Sequence, residues 1–127
     1  MFNTLLVEEN VIYRQILSDA LLLRFPLIGV DEAGNGSEAL SKVEYQRPDL
    51  IFMDTQLPGE NGLYVTKEIK RVYNEIVVVI LTSNCLPEHR LQAFRSGADY
   101  FLSKEDDFCM ENILARVDVA LSRVSLH

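Results

Sequence analysis

Glu8 and Glu9 follow one apolar run of the chain, Asp54 follows a second, Thr82 and Ser83 follow a third, and Ser103 with Lys104 follow a fourth. Three carboxylates brought together repel one another unless a cation or protons intervene, and an oxygen-only set without His or Cys suits a hard ion. Mg²⁺ is the natural candidate, with Mn²⁺ able to replace it in vitro. Mg²⁺ keeps several waters and readily accepts phosphate oxygens, so a site with few protein ligands stays open for phosphoryl chemistry. A carboxylate can attack phosphorus to form an acyl phosphate, a reaction that depends mainly on alignment and charge neutralisation. A cation and Lys104 would supply the neutralisation, and the Thr82 hydroxyl can donate to a phosphoryl oxygen.

Each of these side chains also has a plainer role open to it. Asp54 could cap the turn after its strand, although a lone acid behind a buried apolar run is costly without a partner. Glu8, Glu9 and Lys104 could be solvated surface charges, and Thr82 could simply satisfy a strand end. Phe101 reads equally well as a core aromatic.

The elements that must position these groups alternate between short apolar runs and longer stretches of helical period, giving β-α repeated five times. Strands are expected at Asn3 to Val7, Ile28 to Ala33, Asp49 to Met53, Ile76 to Leu81 and Asp99 to Leu102. A run such as Ile76-Val77-Val78-Val79-Ile80-Leu81 suits a strand covered on both faces, as in a parallel sheet between helices. The first helix is expected from Val11 to Phe25, with Ile12, Ile16, Ala20 and Leu23 on one apolar stripe, stopped by Pro26. Asn35-Gly36-Ser37 opens a second helix through Tyr45, and a third runs from Gly62 to Tyr73. A fourth starts near Pro87 and ends at Ser96-Gly97, and a fifth spans Phe108 to Val124. Gly59 and Gly62 give backbone freedom to the loop after Asp54, and Pro58 fixes one φ within it. Right-handed crossovers then give a doubly wound α/β sheet, in which ligands gather at the carboxyl ends of the strands. Glu8, Glu9, Asp54, Thr82, Ser83, Ser103 and Lys104 all fall at such ends.

Length and composition bound the remaining classes. A chain of 127 residues with 48% hydrophobic residues is enough for one core and reads as a single domain over 1–127. No apolar run approaches the roughly 18 residues of a membrane span, and no basic stretch precedes an apolar core at the amino terminus, so a cytoplasmic location is expected. A net charge of −7 with no Lys/Arg cluster disfavours direct contact with nucleic acid or anionic membranes. Cys85 and Cys109 lack the spacing of a zinc site and read as reduced, partly buried thiols, while His89 and His127 read as solvated side chains.

The ordered set Val7-Glu8-Glu9-Asn10, Ile51-Phe52-Met53-Asp54, Leu57-Pro58-Gly59-Glu60-Asn61-Gly62, Leu81-Thr82-Ser83 and Phe101-Leu102-Ser103-Lys104 resembles the receiver domain of bacterial response regulators. The resemblance covers nearly the whole chain and implies a flavodoxin-like sheet of strand order 2-1-3-4-5 with five helices. It implies a signalling switch rather than an enzyme, with Asp54 as phosphoacceptor and Thr82 and Lys104 contacting the phosphoryl group. Glu8, Glu9, Asp54 and the backbone carbonyl of Gln56 would hold the metal, with Glu9 in direct contact, and Phe101 would be the aromatic switch beside Thr82. The implied partners are a sensor histidine kinase or phosphotransfer protein, a downstream protein or attached output domain, and a second copy in a phosphorylation-dependent homodimer. Two departures stand out. The acidic pair is Glu-Glu where the family usually has Asp-Asp or Glu-Asp, and Glu105 stands where proline commonly follows the lysine. The first departure keeps a second reading open, a pseudo-receiver that binds partners without phosphorylation.

Overall fold

The computed structural model describes residues 1–125. Its elements are β1 (Asn3–Val7), α1 (Val11–Arg24), β2 (Gly29–Ala33), α2 (Gly36–Gln46), β3 (Leu50–Met53), β4 (Gln56–Leu57), β5 (Glu60–Asn61), α3 (Gly62–Val72), β6 (Val77–Thr82), α4 (Pro87–Arg95), β7 (Tyr100–Ser103) and α5 (Cys109–Ser125). Five strands form one parallel sheet in the order β2-β1-β3-β6-β7, which among the strands of that sheet is the expected order 2-1-3-4-5. His127 lies outside the described residues.

The sheet separates two apolar clusters. On one face Leu5, Val7, Ile51, Met53, Val78 and Ile80 pack against Ala39 and Val43 of α2, Val65 and Ile69 of α3, and Ala93 of α4. On the other, Leu6, Leu50, Phe52, Val79 and Leu81 pack against Leu17 and Leu21 of α1 and Ile113 and Val117 of α5. Alternate residues of one strand thus serve opposite layers, which is why β1, β3 and β6 read as almost unbroken apolar runs. Each fully buried Leu, Ile or Val contributes about 1.5–3 kcal/mol.

The stripe expected for α1 is not its core face. Ile12, Ile16 and Leu23 are 75%, 53% and 87% exposed, whereas Leu17 and Leu21 are sealed. The run Leu21-Leu22-Leu23 offers a leucine in several helical phases, and the packing of Phe25 and Leu21 against the sheet selects another. β2, β3, β6 and β7 each begin one residue later than expected, and β6 and β7 extend to Thr82 and Ser103. The segment after Asp54 is also more ordered than a loop, since Gln56 and Leu57 pair antiparallel with Asn61 and Glu60. Pro58 and Gly59 fill the tip, and Gly59 has φ +75°, a value that suits glycine after proline in a tight turn.

Side-chain caps fix where three helices start. Asn10 Oδ1 accepts the Tyr13 amide, Asn35 Oδ1 accepts the Glu38 amide, and Asn61 Oδ1 accepts the Leu63 amide. Glu38 Oε1 in turn accepts the Gly34 amide, closing a reciprocal cap at α2. The caps of α1 and α3 stand directly beside the strand ends that carry Glu8 and Asp54.

Candidate functional site

Two acids and one base meet at the carboxyl ends of β1, β3 and β7. Glu8 and Asp54 are only 4% and 7% exposed. Lys104 Nζ donates to Asp54 Oδ2 at 2.9 Å and forms a second, short bond with Glu8 Oε1. The other carboxylate oxygens take backbone amides: Asn10 N–H donates to Glu8 Oε2 and Gln56 N–H to Asp54 Oδ1, each at 3.0 Å. Glu8 N–H donates to Ala33 O, Asp54 N–H to Val7 O and Lys104 N–H to Thr82 O, so backbone bonds that continue the sheet fix all three positions. Arg14 braces the turn from α1, with Nη1 on Glu8 O at 2.7 Å and Nε on Glu32 at 2.9 Å.

Charge balance in this cluster is incomplete, with two buried carboxylates facing one ammonium. Burial pushes the Glu8 carboxyl above its ordinary value, and the Asp54 charge adds to the rise, against the bonds from Lys104 and the Asn10 amide. Burial works to lower the Lys104 pKa, but its bonds to Asp54 and Glu8 outweigh that and hold it above the ordinary value. The Tyr13 ring lies 4.5 Å from Lys104 Nζ, adding a cation–π contact on the remaining side.

Only part of the expected constellation converges. Glu9 is exposed, and among the described residues no group of three His, Cys, Asp or Glu side chains is gathered to hold a metal ion. Successive residues leaving a strand point to opposite sides, so bringing Glu8 inward turns Glu9 out. Gln56 sits at the start of β4 with its side chain exposed. Thr82 is 1% exposed and its Oγ1 lies 2.8 Å from Thr55 Oγ1, while Asn84 N–H donates to the same Thr82 oxygen at 3.1 Å. Ser83 is exposed, and Ser103 Oγ receives Cys85 Sγ–H at 2.8 Å and Glu105 N–H at 3.0 Å. Phe101 is buried in the α2–α4 core cluster, with the Arg90 guanidinium 5.7 Å from its ring centre. Among the described residues no peptide bond is cis, so the Lys104–Glu105 bond is ordinary.

Three plainer expectations need correction. Cys85 is exposed while Cys109 is buried, so the thiols are not alike. His89 is half-buried with Nδ1 enclosed and Nε2 3.3 Å from Asn84 Nδ2, because its position in the first turns of α4 faces the β4–β5 hairpin across a small pocket rather than solvent. Gly62 is demanded by space rather than backbone freedom. A Cβ there would stand 1.9 Å from Asp54 O, so only glycine lets α3 start against the phosphoacceptor candidate's own carbonyl. Sequence reasoning passed over Thr55, Tyr13 and Arg14. The spacing of Tyr13 from Leu17 and Leu21 carries a signal for Tyr13, whereas nothing in the sequence marks Thr55.

A sequence model of the response regulator receiver domain matches residues 4–118. The chain belongs to that family. Among curated relatives, response regulator MprA of Mycobacterium sp. (strain KMS) is 30% identical over 121 residues, covering 95% of this chain and 51% of that protein. Hybrid signal transduction histidine kinase K of Dictyostelium discoideum is 31% identical over 92% of this chain and 10% of its own length. This receiver domain therefore spans about half the length of the response regulators it matches. A two-component response regulator from Clostridium difficile superposes with a TM-score of 0.86 at 27% identity, covering 98% of each chain. The family places this receiver domain among signalling modules of two-component systems. No described helix is long and apolar enough to cross a membrane.

Proposed function

We propose that this receiver domain accepts a phosphoryl group on Asp54 from a phosphohistidine of a sensor histidine kinase or phosphotransfer protein, and passes the change to a protein surface. The observation that carries the reading is the sharing of Lys104 between the buried carboxylates of Asp54 and Glu8 at the strand ends. An Asp54 oxygen attacks phosphorus, the P–O bond forms, the P–N bond breaks, and imidazole leaves with its electron pair. Lys104 already touches the attacking group and can follow a phosphoryl oxygen without crossing the site. Thr82, one strand away on β6, can then donate its hydroxyl to another oxygen.

The donor set fits Mg²⁺: it is all oxygen, it holds a surplus of negative charge, and Mg²⁺ needs only one or two carboxylates when phosphate oxygens and water complete its shell. Glu8, Glu9, Asp54 and the Gln56 carbonyl are the proposed holders, and Mn²⁺ meets the same requirements. When bound, the cation would neutralise the incoming phosphoryl charge. The burial of Glu8 supports it as a close partner beside Asp54, while Glu9 would join from the exposed side. Titrating Mg²⁺ against Glu8→Gln and Glu9→Gln separates their roles. Equal affinity for Glu9→Gln and the native protein would remove Glu9 from the set.

The output face would comprise α4, β7 and α5, with Phe101 coupling it to Thr82 by packing alone because it lacks a hydroxyl. Its targets would be a downstream protein, an output domain or a second copy in a phosphorylation-dependent dimer, in the cytoplasm. Amide shifts of native and Phe101→Ala proteins with a phosphoryl mimic test this, and an identical response of α4 in both would leave Phe101 a core residue only. A second reading, the pseudo-receiver, is favoured by the outward position of Glu9. Intact-mass analysis with acetyl phosphate and Mg²⁺ decides between them. One adduct, lost with chelator or Asp54→Asn, supports phosphorylation, and an unmodified native protein under several donors supports the pseudo-receiver.

A further inference from the structure

We propose that Thr55 is a positioning residue that holds the proton of the Thr82 hydroxyl away from Asp54, and so sets how readily the site accepts a phosphoryl group. The inference rests on the phosphoacceptor reading and assigns a role to a residue that the reading does not use.

A threonine hydroxyl offers one proton and two lone pairs. Thr82 Oγ1 accepts the Asn84 amide at 3.1 Å and lies 2.8 Å from Thr55 Oγ1, a distance at which either hydroxyl could donate. Burial decides the direction. Thr82 is 1% exposed, so its proton has no solvent to meet, and an unpaired buried donor is costly. Thr55 is half-buried and can give its own proton to water. The arrangement that satisfies every group has Thr82 donating to Thr55. The proton that a phosphoryl oxygen would need is thus already engaged, by the residue that directly follows Asp54.

Engaging a phosphoryl oxygen requires Thr82 to exchange this neutral bond for a charge-assisted one. Thr55 stabilises the resting partner of that exchange and contributes nothing to the engaged one. Thr55→Val, close in shape but without a hydroxyl, leaves the Thr82 proton unpaired at rest and shifts the balance towards engagement. Thr55→Ser retains the acceptor and restores the native balance. The loss of one neutral hydrogen bond corresponds to about a fivefold change.

Beryllofluoride serves as the phosphoryl probe, read by fluorine and amide resonances in the presence of Mg²⁺. Thr55→Val should bind it about fivefold more tightly than the native protein, with Thr55→Ser close to native. The gain should vanish when Thr55→Val is made on a Thr82→Val background, since no Thr82 proton remains to be held. Failure of the native protein to bind the probe overturns the phosphoacceptor reading and this inference with it. Native binding that Thr55→Val leaves equal or weaker, or a gain that survives on the Thr82→Val background, overturns the role of Thr55 alone.

Discussion

Replacing Lys104 with methionine removes the ammonium that Glu8 and Asp54 share while keeping a flexible stem against Tyr13. The two carboxylates, 4% and 7% exposed, would then face each other with no cation. Removing one partner of a buried ion pair costs about 3–5 kcal/mol. The low end applies here, because the Lys104 side chain keeps 15% exposure and the Asn10 and Gln56 amides still serve one oxygen of each acid. A loss of about 3 kcal/mol with a urea dependence of about 2 kcal/mol/M lowers the unfolding midpoint by roughly 1.5 M. The assay is urea unfolding in chelator and again across a Mg²⁺ series. Because ammonium and divalent cation would compete for the same oxygens, Mg²⁺ should recover more stability in Lys104→Met than in the native protein. A variant as stable as native in chelator, or equal gains from Mg²⁺ in both, would refute the shared-counterion account.

Leu17→Ala should cost about 2–5 kcal/mol by thermal or urea unfolding, while Leu23→Lys on the exposed side of α1 should stay within about 0.5 kcal/mol. The reverse order would mean that the stripe through Ile12, Ile16 and Leu23 is the buried one after all. Gly62→Ala forces a Cβ onto Asp54 O and should lose about 1–3 kcal/mol together with adduct formation in the mass assay. On β2, burial pushes the Asp31 carboxyl up, but bonds from Lys42 and the Glu32 amide win and hold it below its ordinary value of 3.8. Its contribution to stability is therefore complete above that pH and is lost as pH falls through the lowered value. Lys42→Met should flatten that acid limb in unfolding curves taken across the range, and an unchanged limb would contradict the pairing.

The sheet was legible because parallel strands buried on both faces must be apolar at every position, as in Ile51-Phe52-Met53 and Val78-Val79-Ile80-Leu81. Helix starts were legible where one side chain makes the cap, as with Asn35. The phase of α1 was not, since its leucines and isoleucines populate more than one stripe and only contact with Phe52 and Leu6 distinguishes them. In the site, residue types indicated Glu8, Asp54, Thr82 and Lys104 as neighbours, but the inward turn of Glu8 and the outward turn of Glu9 depend on how the chain leaves β1. The contact between Thr55 and Thr82 spans 27 positions and joins the turn after β3 to the end of β6, so no local pattern encodes it.

The proposed acyl phosphate on Asp54 can be located by borohydride trapping followed by peptide mass spectrometry. Hydride reduces an acyl phosphate to the alcohol, so protein incubated with acetyl phosphate and Mg²⁺ should carry homoserine at position 54, and chelated protein should retain aspartate there. The corresponding alcohol at another acid, or aspartate at position 54 in protein whose intact mass shows the adduct, would contradict it.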